Sequence, residues 1–456
     1  MNGFARRLSG SARKPQPPLA SARTAAVALV IAVLSIPYLI ALKSPLRLTP
    51  DAVVYLSLAR GIAIDKPFRP AGELKPGPRG YPHLLALLDR AGLGVPWAFV
   101  ALNLLFLAVG LTSVYLLLRS SFAFDRATTL LACGSTLLVH DVIGDAAIPL
   151  SDVTFFGLAM LCLLLLERST QMRGLAATSM ILGAAALAAA AFAIRTIGIA
   201  LWPAVIFVVF SRPGIAQRLR DSARGQRITA ASAAAAIALA VGAVAVIGIM
   251  HSGYVRIFDT QEASSGSVFE QAKAKLRVVG ELATNIPGSS RYVPDAAHPL
   301  YYVAGALLIA VIIVGSIHRR RLGLVEVYTA STVLALLAFP GNLSRLWIPI
   351  VPMLIAYVIV AARVLGRRRL VRIGLSIYFV VFAVAGVAAL ADSVRLSLSG
   401  PRFADRWTDV PSLRAAYKVA FGEATPASVG AIDHDALRVL RYYEPRASRN
   451  NALPLR

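Results

Sequence analysis

Acidic residues and cysteines are both scarce in this chain of 456 residues. There are 23 Asp and Glu residues against 47 Lys and Arg residues, and only two cysteines, Cys133 and Cys162. Both cysteines lie inside apolar runs, which argues against a disulfide framework and against a thiolate metal site. The formal charge of +24 falls in short clusters between apolar runs and forms no continuous basic face. A nucleic-acid partner is therefore not expected.

Several catalytic motifs are missing as well. The sequence contains no G-x-x-x-x-G-K phosphate loop, no G-x-S-x-G elbow and no H-E-x-x-H pair. ATP-driven transport and serine or zinc hydrolysis lose support for that reason. His83 and His140 show no paired spacing, so we interpret them as hydrogen-bonded interface residues.

Apolar residues, in contrast, are abundant. They make up 57% of the chain, charged residues make up 15%, and the mean hydropathy is +0.67. One soluble core cannot bury that much apolar surface, so the composition predicts an all-α polytopic membrane protein. We expect about eleven transmembrane helices, at residues 25–42, 96–118, 127–144, 149–166, 174–193, 196–210, 228–250, 300–317, 323–339, 346–362 and 373–391.

The basic clusters predict the topology. Residues 1–24 carry several Arg and Lys residues, and the apolar run at 25–42 is too long for a typical signal core, so it is expected to be an uncleaved anchor. With this end inside, every dense basic cluster lies in a cytoplasmic loop. A single helix across 174–210 would move five arginines outside, so we expect two short spans with Arg195 at the outer turn.

The same topology predicts the domain layout. A transmembrane domain covers residues 25–391, with a first outer loop at 43–95 and a middle outer loop at 251–299. Residues 392–456 mix apolar and charged side chains, as a folded segment does. We therefore expect a small extracytoplasmic C-terminal appendage.

Two acids at predicted helix starts are candidate site residues. Asp51 follows Thr49-Pro50 after the first span, and Asp152 opens the fourth span. Both have a simple structural explanation, because an acid in the first turn complements the helix dipole. Tyr55 lies one helical turn after Asp51 and shares its face. The alternative is a polar pocket, since acids gathered at one membrane face require a reason.

Four basic residues are predicted on the same outer side: Lys75, Arg79, Arg195 and Arg345. Each could extend toward lipid headgroups. Alternatively they bind phosphate, because Arg offers a rigid fork for phosphate oxygens, and an isolated Arg between two apolar helices is costly without an anion. Arg195 fits this second interpretation best.

Five short motifs share an order with a known enzyme class. They are Asp51 to Ala59 (D-A-V-V-Y-L-S-L-A), Gly80-Tyr81-Pro82, Ile148 to Asp152, Arg195 to Gly198 before Trp202-Pro203, and Arg345 to Pro352. Together, over residues 25–365, they resemble the GT-C membrane glycosyltransferases. The branch that they resemble most contains bacterial relatives of dolichyl-phosphate-mannose protein mannosyltransferases and aminoarabinose transferases.

The resemblance implies a hexosyl- or pentosyltransferase that uses a polyprenyl-phosphate sugar at the outer face of the bacterial inner membrane. The acceptor would be a lipid, a glycan or a protein. Asp51 would be the general base, and Asp152 would place the acceptor or a divalent ion.

The implied substrate contacts come from aromatic and basic side chains: Tyr55, Lys75, Arg79, Tyr81, Arg195 and Arg345. The family's usual adjacent acid pair is here Asp51-Ala52. That departure leaves open whether Mg²⁺ or Mn²⁺ is bound through Asp51 and Asp152.

Two other classes remain open at this point. A multi-pass transporter or flippase of lipid-linked sugars would use the same charged residues as a substrate path. A non-catalytic membrane subunit of an envelope-assembly complex would need none of this chemistry. A transporter should carry polar groups near the middle of its spans, whereas here they gather at the outer ends.

Overall fold

The structure is a computed structural model that describes residues 18–66, 78–211, 268–288, 297–319, 323–339, 341–366 and 368–447. Within these ranges the regular elements are all helical. The predicted all-α class is confirmed. The predicted span at 228–250 and the candidate Lys75 lie outside the described residues.

The α-helices are numbered in chain order. They are α1 (Pro18–Ile40), α2 (Pro50–Ile64), α3 (Gly80–Arg90), α4 (Pro96–Ser121), α5 (Arg126–Leu137), α6 (His140–Ala146), α7 (Ser151–Gln171), α8 (Gly174–Ile194), α9 (Trp202–Phe210), α10 (Val268–Thr284), α11 (His298–Arg319), α12 (Leu324–Ala338), α13 (Val351–Leu365), α14 (Arg369–Ser397), α15 (Phe403–Trp407), α16 (Pro411–Ala420) and α17 (His434–Tyr443). Short 3₁₀ turns at Thr196–Leu201 and Ser344–Ile350 lead into α9 and α13.

Among the described residues, seven helical segments are long and apolar enough to cross a membrane. They are Ala22–Lys43, α4, α7, α8, α11, Ser344–Leu365 and α14. The pair α5 and α6 passes the same criterion together, with a bend of 64° between them. The multi-pass architecture is thus confirmed. The count of eleven stays a prediction, because Thr196–Phe210 and Leu324–Ala338 are shorter apolar helices.

The break at Arg195 is present in the structure. Helix α8 ends at Ile194, and Arg195 adopts an extended backbone with φ −147° and ψ 131°. The chain then re-enters a helix through the 3₁₀ turn. The stretch from Gly174 to Phe210 is therefore not one continuous helix.

Polar contacts gather at the two ends of the bundle. At one end Arg319 forms an ion pair with Glu326 at 2.5 Å and donates a hydrogen bond to the carbonyl of Ser121, while Arg363 lies 3.6 Å from Asp125. These residues come from loops that the basic clusters place on one side. Contacts among these loops agree with the prediction that they lie on the same side of the membrane. The assignment of this side to the cytoplasm stays a prediction.

At the other end, the predicted first outer loop folds into α2 and α3, which pack together. Helix α14 runs past residue 391 to Ser397, and the segment after it forms α15, α16 and α17. Helix α17 packs on α2. The described part of the C-terminal segment thus contains three short helices, and its being a separate extracytoplasmic appendage stays a prediction.

Close backbone approach sets the packing of α10 on α11. A Cβ atom added at Gly280 would lie 1.9 Å from the carbonyl oxygen of Tyr301. Small residues permit such close approach between helices.

We therefore expect Gly280→Ala to separate α10 from α11 and to destabilise the protein, because the clash is with backbone that cannot rotate away. Gly374→Ala is the matched control, since an added Cβ there meets nothing within 4 Å. The measurement is the midpoint of thermal unfolding in detergent. A loss on the order of 1–3 kcal/mol is expected at Gly280, as for other overpacked sites. Equal stability of the two variants would contradict this packing.

Candidate active site

The start of α2 presents Asp51. The Thr49 hydroxyl accepts a hydrogen bond from the Ala52 amide at 3.3 Å, and Pro50 is the first helical residue. The helix-start interpretation of this segment is therefore correct. It is incomplete, because Asp51 Oδ2 also accepts a hydrogen bond from Arg345 Nη2. The Asp51 side chain is 52% exposed despite this ion pair, so one carboxylate stays accessible to solvent at this end of the bundle.

The start of α7 presents a second acid in a different environment. The Asp152 side chain is only 2% exposed, and its Oδ2 lies 2.5 Å from Arg195 Nη1. The same nitrogen donates to Ser151 Oγ at 3.1 Å. A buried carboxylate requires such a partner, because desolvation would otherwise favour its neutral form. The extended backbone at Arg195 brings the guanidinium to this helix start.

Tyr55, one helical turn after Asp51 on α2, contacts the start of α7. Its hydroxyl lies 3.4 Å from Ser151 Oγ, and its ring contacts Tyr81 edge to face with centroids 5.4 Å apart. Burial raises the pKa of Tyr55, and the nearby Arg195 opposes the rise. Burial also raises the pKa of Tyr81 well above its usual value. Both phenols are therefore neutral hydroxyls at ordinary pH.

A cavity of about 170 Å³ opens beside this cluster. Tyr55 and Arg195 supply polar groups, and Ile199, Phe339 and Leu346 supply apolar wall. The cavity thus combines a cation and a neutral hydroxyl with a hydrocarbon lining. That combination suits a ligand with an anionic head and an apolar tail.

A third acid supports the turn that carries Arg345. Asp141 Oδ1 accepts a hydrogen bond from Ser344 Oγ at 3.0 Å and lies 3.1 Å from His140 Nε2. The His140 amide donates to Asn285 Oδ1 at 2.8 Å. Asp141 therefore ties α6 to the turn on which Arg345 sits, and the backbone amide of His140 ties α6 to Asn285.

The structure brings together six of the eight predicted site residues. They are Asp51, Tyr55, Tyr81, Asp152, Arg195 and Arg345. Arg79 is exposed directly before α3, and among the described residues no contact joins its side chain to either acid. Lys75 is outside the described residues.

Two serines were missed by the sequence analysis. Ser151 and Ser344 each precede a predicted site residue, and each uses its hydroxyl to orient that part of the site. The available signal was their position beside Asp152 and Arg345. A hydroxyl at a helix start is so common, however, that sequence alone favours a capping role.

The residues present do not fit the divalent cation that the resemblance left open. In the described part of the chain, no group of three or more His, Cys, Asp or Glu residues could hold a metal ion. Asp51 and Asp152 are each engaged by a guanidinium, which takes the position of a cation at these oxygens. We therefore derive no step through a metal ion.

Comparisons with solved structures identify similar proteins. ArnT from Cupriavidus metallidurans in the apo state is 18% identical, with a TM-score of 0.44, over 93% of this chain and 85% of that one. ArnT bound to undecaprenyl phosphate is 18% identical, with a TM-score of 0.41, over 92% and 85% of the two chains. The Archaeoglobus fulgidus oligosaccharyltransferase in complex with Zn and sulfate is 12% identical, with a TM-score of 0.47, over 91% of this chain and 58% of that one.

All three similarities are at low sequence identity and with TM-scores below 0.5. These superpositions are loose, so they assign no role to any side chain. No protein-family model matches the chain, and no curated protein sequence matches it. The residue roles below rest on the contacts within this chain.

The burial of Asp152 leads to a stability prediction. Arg195→Met should destabilise the protein by about 3–5 kcal/mol, because it leaves a carboxylate buried without its cation. Adding Asp152→Asn should recover much of that loss. The pair Arg414–Asp409 is the control, since both side chains are partly exposed and such pairs contribute about 0–1 kcal/mol. Thermal unfolding of single and double variants measures both couplings, and equal coupling at the two pairs would contradict the assignment.

Proposed function

We propose that this protein is a glycosyltransferase that moves a sugar from a polyprenyl-phosphate donor to an acceptor hydroxyl. The observation that carries the proposal is the pairing of an accessible carboxylate, Asp51, with a cation-bearing apolar cavity at the same end of a membrane bundle. The acceptor hydroxyl must give its proton to a base, and the lipid phosphate must bind to a cationic group. The site contains one candidate for each task.

Asp51 is the proposed general base. Its exposed position allows an acceptor hydroxyl to approach, while Arg345 orients the carboxylate from one side. As the acceptor oxygen attacks the anomeric carbon, Asp51 takes its proton, and the sugar–phosphate bond breaks with the electron pair on the phosphate. Phosphate departs as a stable anion, so no general acid is required. Glycosidases normally need a second carboxyl group because their leaving oxygen must be protonated.

Arg195 is the proposed phosphate ligand. It lines the cavity, and its planar guanidinium can bind phosphate oxygens in a bidentate manner. Tyr55 lines the same cavity as a neutral hydroxyl that can donate a further hydrogen bond. The apolar wall from Ile199, Phe339 and Leu346 suits the first isoprenoid units of the donor. Electrostatic contacts contribute more in such a dry site than in water.

Asp152 has a different proposed role from the one that the resemblance implied. It is buried and forms an ion pair with Arg195, so its geometry supports holding the guanidinium in place better than touching an acceptor. A single displacement at the anomeric carbon would invert its configuration. We place the reaction at the extracytoplasmic face of the bacterial inner membrane, with a lipid, glycan or protein hydroxyl as acceptor and a hexose or pentose as the sugar.

A transporter is less well supported. Among the described residues, the ion pairs that involve the spanning segments lie at helix ends, such as Arg319–Glu326 and Arg195–Asp152. A path for a sugar across the membrane would need polar groups between those ends.

Asp51→Asn tests the base directly. The amide keeps the shape of the side chain but cannot take a proton, so transfer should fall on the order of a hundredfold to ten-thousandfold. Donor binding and folding should persist. The assay uses purified protein in detergent with a panel of labelled polyprenyl-phosphate sugars and a separation that detects new glycosidic bonds.

Asp65→Asn is the matched control for this change, because Asp65 is an exposed acid at the other end of the same helix. Near-normal turnover in the Asp51 variant would show that Asp51 is not the base and only stabilises the first turn of α2. Accumulation of sugar inside vesicles without any new glycosidic bond would favour a transporter.

Arg195→Lys tests the phosphate ligand. The ammonium keeps the charge but lacks the planar fork, so the KM for the donor should rise by about tenfold or more. Arg90→Lys is the control, since Arg90 is exposed and bonds only the α2 carboxyl end among described residues. A donor KM that is unchanged in Arg195→Lys would remove this residue from the site.

A further inference from the structure

The segment that connects the first span to α2 is extended and buried. Residues 44–48 are buried, although they belong to no helix or sheet. Buried backbone amides and carbonyls need hydrogen-bond partners, and a strand without a neighbouring strand has to find them in side chains. This segment ends at Thr49, which caps α2, and Asp51 follows two residues later.

The C-terminal appendage supplies those partners. Tyr417 Oη donates to the Leu46 carbonyl at 2.7 Å and accepts from the Leu48 amide at 2.8 Å. Glu444 Oε2 accepts from the Leu46 amide at 2.7 Å. Trp407 Nε1 donates to the Leu48 carbonyl at 2.9 Å. The backbone groups of Leu46 and Leu48 are thus hydrogen-bonded to three side chains of the appendage. These are Trp407 of α15, Tyr417 of α16 and Glu444, which directly follows α17.

The residue between them is anchored to a different element. The Arg47 side chain is buried and donates to Ser393 O at 2.9 Å and to Ser397 Oγ at 2.8 Å, both near the end of α14. Burial lowers the pKa of Arg47 to about 10, so the guanidinium remains charged at neutral pH. In an extended chain, successive residues face opposite sides. The backbone groups of Leu46 and Leu48 therefore face the appendage, while the side chain of Arg47 faces α14.

A second contact fixes α2 beyond Asp51. Tyr443 Oη lies 3.3 Å from Asp89 Oδ2, and Asp89 is paired with Arg60 of α2 at 3.3 Å. The Arg60 guanidinium stacks over the Tyr442 ring at 3.9 Å. Appendage residues thus hold the helix on both sides of its acid.

We propose that the C-terminal appendage positions Asp51 by binding the backbone of residues 46 and 48, and that Tyr417 is the principal positioning residue. This inference rests on the proposed function, because it assigns the appendage a role in proton removal by Asp51. A shift of the α2 start would move the carboxylate relative to Arg345 and to the cavity. Transfer rates are sensitive to such displacements, since a misplacement of about 1 Å can cost a hundredfold.

Tyr417→Phe isolates the hydrogen bonds from the packing. It removes the hydroxyl that bonds Leu46 and Leu48 and keeps the ring that packs edge to face on Phe403. Ser428→Ala is the control within the appendage. Ser428 is exposed, and in the described part of the chain its hydroxyl forms hydrogen bonds only with the backbone of Thr425, away from α2 and from residues 44–49.

Two measurements on the full-length protein in detergent separate positioning from stability. Amide exchange over residues 46–52 should become about tenfold faster in Tyr417→Phe, because the local segment opens more easily. The kcat for transfer should fall by about tenfold, with the donor KM within about twofold of normal, since Arg195 and its cavity are untouched. Ser428→Ala should change neither quantity. Trp407→Phe, which removes the donor to Leu48, should reproduce the Tyr417 result.

The outcomes distinguish this inference from the function on which it rests. Unchanged exchange and unchanged kcat in Tyr417→Phe would overturn the positioning role. Faster exchange with normal kcat would also overturn it, provided that Asp51→Asn is inactive. If Asp51→Asn is itself active, the proposed base is wrong instead. A rise in donor KM with normal kcat would overturn the inference by assigning the appendage to donor binding.

Discussion

A carboxylate that is buried at the boundary of a membrane bundle needs a cation beside it to stay charged, and this constraint organises one end of the molecule. Asp152 is almost fully buried and contacts Arg195, whereas Asp51 is half exposed and contacts Arg345. The two pairs differ in solvent access and therefore in chemistry. In the proposed function the buried acid orients its arginine, while the accessible acid takes the proton of the acceptor.

Each arginine reaches its acid because it lies at an interruption between helical segments and not inside a continuous α-helix. Helix α8 stops at Ile194, so Arg195 lies in an extended link, and the 3₁₀ turn at Ser344–Ile350 presents Arg345 before α13 begins. Serine hydroxyls then refine the geometry, with Ser151 on Arg195 and Ser344 on Asp141. Broken helices near polar groups are tolerated in membranes where the freed backbone is buried in protein or lines a cavity.

The segment that the appendage contacts also contains buried polar groups that need partners. An extended, buried link such as residues 44–48 would be costly without partners for its backbone, and the side chains of Trp407, Tyr417 and Glu444 provide them. Because these partners come from the far end of the chain, the position of the α2 start depends on contacts between residues almost 400 positions apart. Local pattern carries no information about such contacts.

Composition and local sequence pattern alone predicted the class of this protein, the multi-pass architecture and the helix starts at Thr49 and Ser151. Those features depend on hydrophobicity, capping and the dipole of a helix, which are local properties of the chain. The motifs also singled out both acids and both arginines as candidates. Which acid meets which arginine, the exposure of Asp51 against the burial of Asp152, and the bonding of residues 46 and 48 to the appendage were decided only by the tertiary structure. Pairing and desolvation are set by atoms that come together across long sequence separations, and their free energies exist only once the helices are packed.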